Sequence, residues 1–414
     1  MGKEFFTVTP IEQVFELMAD FNTVGTETVD LQEACGRILA EDIISEISIP
    51  GFARATMDGY AVRAASTFGA SESGPAYLSV SGIIEMGAAP SLKIGHGQAV
   101  RIATGGMLPG GADAVVMMEH ASELDETSLE VYKSVAPGGN IVAEDEDFSK
   151  GSKVLSAGTP IRPQEMGLLA ALGKSRITVF KKPAAGIIST GDELVGIDHA
   201  PPPGRIRDVN TYSLSGWTTK AGAHPVAYGI VPDDYDRLLA TCGRALEETD
   251  MILISGGSSV GTRDLTLDVI AALPESKILV HGIPVRPGKP TILAKAAGKP
   301  IWGLPGQIAS AMVVFDRIVA PFIGHIAGNA LFSERNYRIP AVLTRNISSV
   351  QGRTEFVRTR IIKEKNVYYA EPIPGPAGLI RTMVEADGLI EVHINTEGLE
   401  KGEQVEVIIP GQFS

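Results

Sequence analysis

Residues 252–266, ILISGGSSVGTRDLT, constrain the fold more than any other stretch of this chain. Residues 251–254 form a short apolar run, with the length and composition of a strand buried in a parallel sheet. Gly256-Gly257-Ser258-Ser259 follows at once, and a helical pattern opens near Asp264. Strand, glycine turn and helix start aim backbone N–H groups at an anion. The glycines let the backbone approach closely, and the helix N-terminus adds partial positive charge. Two serine hydroxyls can join them. Asp264 is the odd member of such a site. A carboxylate there either caps the helix, with Thr266 in its first turn, or holds a metal that bridges to phosphate. Both readings stay open on the residues alone.

The surrounding pattern makes this turn part of a doubly wound α/β domain. Strands are predicted at 186–189, 225–231, 251–254, 278–282, 291–294 and 301–304, and helices at 211–221, 235–247, 265–273 and 307–322. That alternation implies a sheet covered on both faces, three layers in all, with ligands at the carboxyl ends of its strands. In the last helix Ile308, Ala311, Met312, Phe315, Val319 and Phe322 form one stripe, which reads as core. Upstream, residues 10–21 are predicted to form an amphipathic helix carrying Ile11, Val14, Phe15 and Met18, with a second helix at 31–38. Residues 51–143 alternate in short strands between Gly and Pro turns, and the chain returns to helix at 163–172. Short alternating strands reappear over 335–410, as in a small barrel. The expected fold class is therefore multidomain α/β. It comprises an N-terminal helical and linker region (1–50 with 144–176), an inserted β domain (51–143), the three-layer α/β domain (177–332) and a C-terminal small β-barrel (333–414).

Composition narrows the function classes. A net charge of −13 over 414 residues disfavours a nucleic-acid binder or an acidic-membrane binder, both of which need basic faces. A small anionic substrate is still admissible, because His281, Arg286, Lys289, Lys295 and Lys299 cluster and local charge decides. The two cysteines, Cys35 and Cys242, form neither a disulfide framework nor a zinc spacing, which suits a reducing cytosol. Both are expected to be buried thiols in helical contexts. The N-terminal MGKEFFTVTP lacks a signal-peptide layout, and Phe6 stands where myristoylation wants Ser or Thr. Asp316 and Arg317 interrupt the longest apolar helix. A cytoplasmic protein without a membrane span is expected.

The chemistry should sit where the α/β loops converge. Thr190-Gly191-Asp192-Glu193 follows a buried strand, and an acid there needs a partner or a cation unless Glu193 caps a short turn. Asp233-Asp234 follows a second strand; Asp233 is placed to bind a metal or to cap the helix starting at Tyr235. With Asp264, these acids resemble a Mg²⁺ site of the kind that takes one or two carboxylates plus phosphate oxygens. In Arg286-Pro287-Gly288-Lys289-Pro290 the prolines stiffen a loop that presents two cations with little entropy left to lose, suited to a tetrahedral oxyanion or simply to a basic surface turn. Gly303-Leu304-Pro305-Gly306 feeds the next helix N-terminus and adds N–H donors.

Ser255-Gly256-Gly257-Ser258-Ser259-Val260-Gly261 with Asp264 resembles the signature of the molybdopterin molybdenumtransferases, the molybdenum insertases that include the gephyrin E-domain. Four further stretches carry the resemblance over most of the chain, in the family's order: Met57-Asp58-Gly59-Tyr60-Ala61, Arg101-Ile102-Ala103-Thr104-Gly105, Ser189-Thr190-Gly191-Asp192-Glu193-Leu194 and the Arg286–Pro290 loop, residues 286–290. The resemblance implies that adenylylated molybdopterin is cleaved with Mg²⁺ and that molybdate enters the dithiolene, with release of AMP. It implies Asp264, Glu193 and Asp233 as catalytic metal ligands. As substrate contacts it implies Gly256, Gly257, Ser258, Ser259, Asp58, Thr104, Asp147, Arg286, Lys289, Pro290, Pro305, Ser310, Arg353 and Arg358. It also implies a homodimer with a composite cleft and a contact with the molybdopterin adenylyltransferase. Two departures stand out: Gln307-Ile308 replaces the family's Asn-Pro, and Gly375-Pro376-Ala377-Gly378 replaces a serine-containing turn, leaving Thr382 as the nearest hydroxyl. Tungstate selectivity, nucleotidyl transfer to the pterin and a non-catalytic gephyrin-like scaffold are the competing expectations.

Overall fold

The computed structural model describes residues 8–256, 262–332 and 337–411, and for 262–264 the backbone alone. It divides into two compact units, 42–156 with 167–174, and the remainder of the chain.

The larger unit is built on a six-stranded sheet. Its strands are β1 (Ala184–Thr190), β2 (His224–Val231), β3 (Met251–Gly256), β4 (Lys277–His281), β5 (Ile292–Ala296) and β6 (Lys299–Leu304). Their spatial order is β2-β1-β3-β6-β5-β4. β2, β1, β3 and β6 run parallel, whereas β5 and β6 form an antiparallel hairpin and β4 joins its edge antiparallel to β5. Period-two alternation sends successive side chains to opposite faces. Met251 and Leu253 of β3 join Ile187, Trp302 and Leu304 on one face, under the helix α1 (Asn210–Lys220). Ile252 and Ile254 join Ile188, Ala294 and Ile301 on the other, under α2 (Tyr235–Glu248) and α3 (Thr262–Ala272). Each of the fully buried isoleucines and leucines among them contributes about 1.5–3 kcal/mol, so apolar burial holds both faces of the sheet.

After β6 the chain enters α4 (Ile308–Val314), passes through a π-helical turn at Phe315–Val319 and continues helically through Ala320–Ile326. The whole segment of 19 residues is long and apolar enough to cross a membrane, but 78% of its apolar window is buried in the protein's own core. Five further strands close a barrel: β7 (Arg338–Leu343), β8 (Thr354–Glu364), β9 (Val367–Pro372), β10 (Gly388–Val392) and β11 (Gln404–Ile408). Their order β8-β9-β7-β11-β10 is closed by pairing of β10 with β8.

The smaller unit holds a six-stranded sheet that includes Gly59–Val62, Ala76–Ile84, Gln98–Ile102, Ala114–Met117, Ala121–Asp125 and Ser128–Val131. Three local expectations fail. The helix at 31–38 is a single 3₁₀ turn at Leu31–Glu33, because Gly36 adopts φ +74° and the backbone of Leu39 bonds to Thr159 instead. The helix at 10–21 is α-helical only over Ile11–Glu16 and tightens to 3₁₀ at Leu17–Asp20. With no helix around it, Cys35 is exposed rather than buried; Cys242 is buried within α2, and burial pushes its thiol up to about 12.

Candidate active site

The connection leaving β1 runs to β2 on one side, and the connection leaving β3 runs to β4 on the other. Where consecutive connections part in this way, a crevice opens at the carboxyl ends of the strands. It opens here between Thr190 and Gly256, which are paired in register. A cavity of about 320 Å³ lies there, lined by Thr190, Gly191, Glu193, Asp208, Asn210, Asp233, Ser255, Gly256, Gly306, Gln307, Ile308 and Gly378 among others.

Gly256 must be glycine. Its φ is +134°, and a Cβ would stand 2.0 Å from the Thr190 carbonyl oxygen. Three carboxylates line the cavity, Glu193, Asp233 and the buried Asp208. Glu193 is exposed and Asp233 half-buried. The Thr190 hydroxyl donates to Asp233 Oδ1 at 2.9 Å, and the Asp233 N–H donates to Asp192 Oδ1 at 3.2 Å. The cap of α2 belongs to the next residue: Asp234 accepts from the Arg237 N–H at 2.9 Å, which leaves Asp233 unused by the helix. Helix α3 begins at Thr262, so Asp264 sits inside its first turn and is not the residue before it. The Asp264 side chain, and Gly257, Ser258 and Ser259, lie outside the described residues.

Two cavity residues carried no separate signal in the sequence. Asp208 is buried, accepting from the Ser189 hydroxyl at 3.0 Å and the Thr211 N–H at 3.1 Å. Asn210 is buried at the start of α1, and its Nδ2 donates to Ser255 Oγ at 2.6 Å and to the Gly306 carbonyl at 2.8 Å. Asp208-Val209-Asn210 after a short extended run was their only trace.

The two family departures converge on the same wall. The Ala309 N–H donates to the Ala377 carbonyl at 3.0 Å, which seats the 375–378 turn on the start of α4 beside Gln307 and Ile308. Behind that turn, Arg358 donates to Thr382 Oγ1 and to the Gly375 carbonyl, both at 2.6 Å. Thr382 in turn donates to the Leu379 carbonyl at 2.7 Å, so its hydroxyl braces the turn. Burial, and secondarily the neighbouring Arg286 cation, hold the Arg358 guanidinium below its ordinary range, against the attraction of Glu355. Arg286 pairs with Glu355 at 3.2 Å. Lys289 is exposed, Pro290 half-buried, and Pro305 and Ser310 are buried; the Arg353 Nε is buried without a partner among the described residues. Neither Arg286 nor Lys289 is among the cavity's lining residues.

Asp58, Thr104 and Asp147 belong to the smaller unit. Its fold brings Asp58 and Thr104 together: the Thr104 N–H and hydroxyl donate to Asp58 Oδ1 at 2.7 and 2.9 Å and hold the Asp58 carboxyl below its usual range. Asp147 is exposed, and its N–H bonds to the Ile49 carbonyl.

Comparison with known proteins covers nearly the whole chain. Residues 9–173 match "MoeA N-terminal region (domain I and II)", residues 186–325 match "Probable molybdopterin binding domain" and residues 340–409 match "MoeA C-terminal region (domain IV)". The molybdopterin molybdenumtransferase of Bacillus subtilis is 33% identical over 97% of this chain and 94% of its own. That of a Nostoc species is 36% identical over 74% of this chain and 70% of its own. A crystal structure of the molybdopterin biosynthesis moeA protein from Pyrococcus horikoshii superposes with a TM-score of 0.83 at 31% identity, covering 97% of this chain and 100% of that one.

Proposed function

The chain belongs to the molybdopterin molybdenumtransferase family, and on that premise we propose that its α/β cavity binds adenylylated molybdopterin for molybdate insertion with release of AMP. The observation that carries the reading is the meeting of Glu193, Asp233, the Gly256 backbone and the Gly306–Ile308 helix start around one cavity at the switch point of the sheet.

The strand end and the helix start at Gly306–Ile308 supply donors for phosphate oxygens. Glu193 and Asp233, with Asp264 as a proposed third ligand, are the residues that would hold Mg²⁺. Two oxygen donors facing one cavity fit that ion, which takes few protein carboxylates and completes its shell with phosphate and water. Mg²⁺ bound there would offset charge on the phosphoanhydride oxygens. The Thr190 hydroxyl keeps the Asp233 carboxylate turned to its place without consuming its charge, and Asp192 holds the Asp233 backbone through its N–H. Lys289, with Arg286, Arg353 and Arg358 around the barrel turn, is proposed as the molybdate side of the site. There Arg286 pairs with Glu355, and both act on the neighbouring Arg358 guanidinium. Asp58, Thr104 and Asp147 are proposed as contacts contributed within a homodimer, and the molybdopterin adenylyltransferase as the donor of substrate.

The test is incubation of the protein with adenylylated molybdopterin, Mg²⁺ and molybdate, with AMP release followed by chromatography. Release that depends on both Mg²⁺ and molybdate supports the reading. Consumption of ATP with free molybdopterin and no AMP release from the adenylylated compound would replace it with nucleotidyl transfer.

A further inference from the structure

The amide of Asn210 has only one orientation consistent with its partners. A carbonyl oxygen can only accept, so the group 2.8 Å from the Gly306 oxygen must be the NH₂ end. The same nitrogen gives its second hydrogen to Ser255 Oγ at 2.6 Å. Both donors of the amide are thereby used. Ser255 Oγ, having accepted that hydrogen, still carries its own proton, and no acceptor among the described residues takes it. Ser255 is the last residue before Gly256 at the end of β3, and it lines the cavity.

We infer that Ser255 is a substrate-contacting hydrogen-bond donor to a phosphate oxygen, and that Asn210 is the positioning residue that aims its proton into the cavity. The inference rests on the proposed use of this cavity for the adenylylated pterin. The arrangement is directional. An amide at 210 makes Ser255 an acceptor towards α1 and therefore a donor towards the ligand. A carboxylate at 210 would reverse it, drawing the serine proton inward and setting two acceptors against each other at the Gly306 carbonyl. Asn210 also ties the end of β3 to the approach of α4 through a single group, so the two sets of N–H donors keep their spacing.

The probe is AMP, with affinity measured by calorimetry, so that the outcome does not depend on turnover. Ser255→Ala should weaken AMP binding about tenfold, the worth of one charge-assisted hydrogen bond. Asn210→Asp should weaken it by about as much or more. The double variant should resemble the weaker single variant and fall well short of the product of the two losses, because both remove one interaction. The affinity of Asn210→Asp relative to wild type should recover only in part as the pH is lowered from about 8 to about 5.5, since a protonated carboxyl again donates to the Gly306 carbonyl but has no second proton for Ser255 Oγ. Independent, multiplying losses with no pH dependence in that ratio would show Asn210 to be a structural staple only and would overturn the inference. Should Asn210→Asp fail to fold, Ser255→Ala decides alone: an unchanged melting temperature with unchanged AMP affinity refutes the donor role. A wild type that binds AMP but never releases it from adenylylated molybdopterin would sink the proposed function while leaving this assignment standing.

Discussion

Gly256→Ala tests whether the crevice depends on backbone contact between β1 and β3. The new Cβ would lie 2.0 Å from the Thr190 carbonyl oxygen and 2.9 Å from both its carbonyl carbon and its Cγ2. The colliding atoms are mainly backbone of a paired, buried strand, so relief requires the two strand ends to spread. Placing a non-glycine residue at φ +134° costs about 1–3 kcal/mol. Overpacking against a neighbour that cannot rotate away adds about 1–3 kcal/mol, and one lost ladder bond about 1 kcal/mol. The expected loss is about 3–7 kcal/mol, large for a single substitution. Gly298→Ala isolates the collision. Gly298 has φ +78° with nothing within 4 Å of its Cβ position, in the β5–β6 turn where Ala297 already adopts φ +46°. That control should lose only about 1 kcal/mol. Urea unfolding of the three proteins gives the comparison, and AMP affinity reports whether the Gly256 N–H has moved. Equal losses for the two substitutions would refute the argument that a close approach of β1 and β3 shapes the site.

Lys289→Ala should raise the molybdate requirement by about tenfold to a hundredfold, the loss of a charge-assisted contact, while AMP affinity stays near wild type; an equal loss in AMP affinity would move Lys289 to the phosphates. Arg286→Ala should raise the molybdate requirement too, and it also frees the Glu355 carboxylate with which Arg286 pairs. Glu193→Gln and Asp233→Asn should each raise the Mg²⁺ concentration needed for AMP release by about tenfold or more. Asn at 233 can still accept from Thr190, so the melting temperature should hold; Mg²⁺ titrations coinciding with wild type would place the metal elsewhere.

The α/β sheet was legible because its strands announce themselves by continuous apolar runs and its helices by stripes. The switch-point cavity follows from that order with little else. The antiparallel edge was less legible, since residues 291–304 read as two strands whichever way they run. What separates them is an Ala297-Gly298 turn at positive φ, and alanine does not advertise that conformation. At Asp233-Asp234 the sequence offers two equivalent caps, and only geometry shows that Asp234 takes the Arg237 N–H. Asn210 illustrates the harder limit. Its partners, Ser255 and Gly306, come from two other loops, and spacing along the chain carries no record of that contact. The failed helix at 31–38 is the reverse case, where apolar spacing suggested a helix and pairing of neighbouring residues with distant backbone prevented it.

Asp316 offers a pH test of the junction between the π-helical turn and the segment that follows β11. Its side chain is 2% exposed; Oδ1 accepts from the Gly411 N–H at 2.8 Å, and Oδ2 lies 3.7 Å from the Arg317 guanidinium. Burial pushes the carboxyl above its ordinary range, and the attraction of Arg317 and the Gly411 hydrogen bond only partly oppose this. A carboxyl raised in the folded state favours folding while it is protonated. That contribution is complete below the unfolded value of about 3.9 and is lost as pH rises through the folded value, at up to about 1.4 kcal/mol per pH unit. Asn at 316 keeps the acceptor for Gly411 but has no charge to desolvate. Asp316→Asn should therefore gain stability relative to wild type as pH rises from about 4, with the difference levelling once the wild-type carboxyl is ionised. Urea midpoints for both proteins across that range supply the measurement. A variant that instead loses ground with rising pH would mean that the Arg317 pair outweighs burial and that the Asp316 carboxyl is held low.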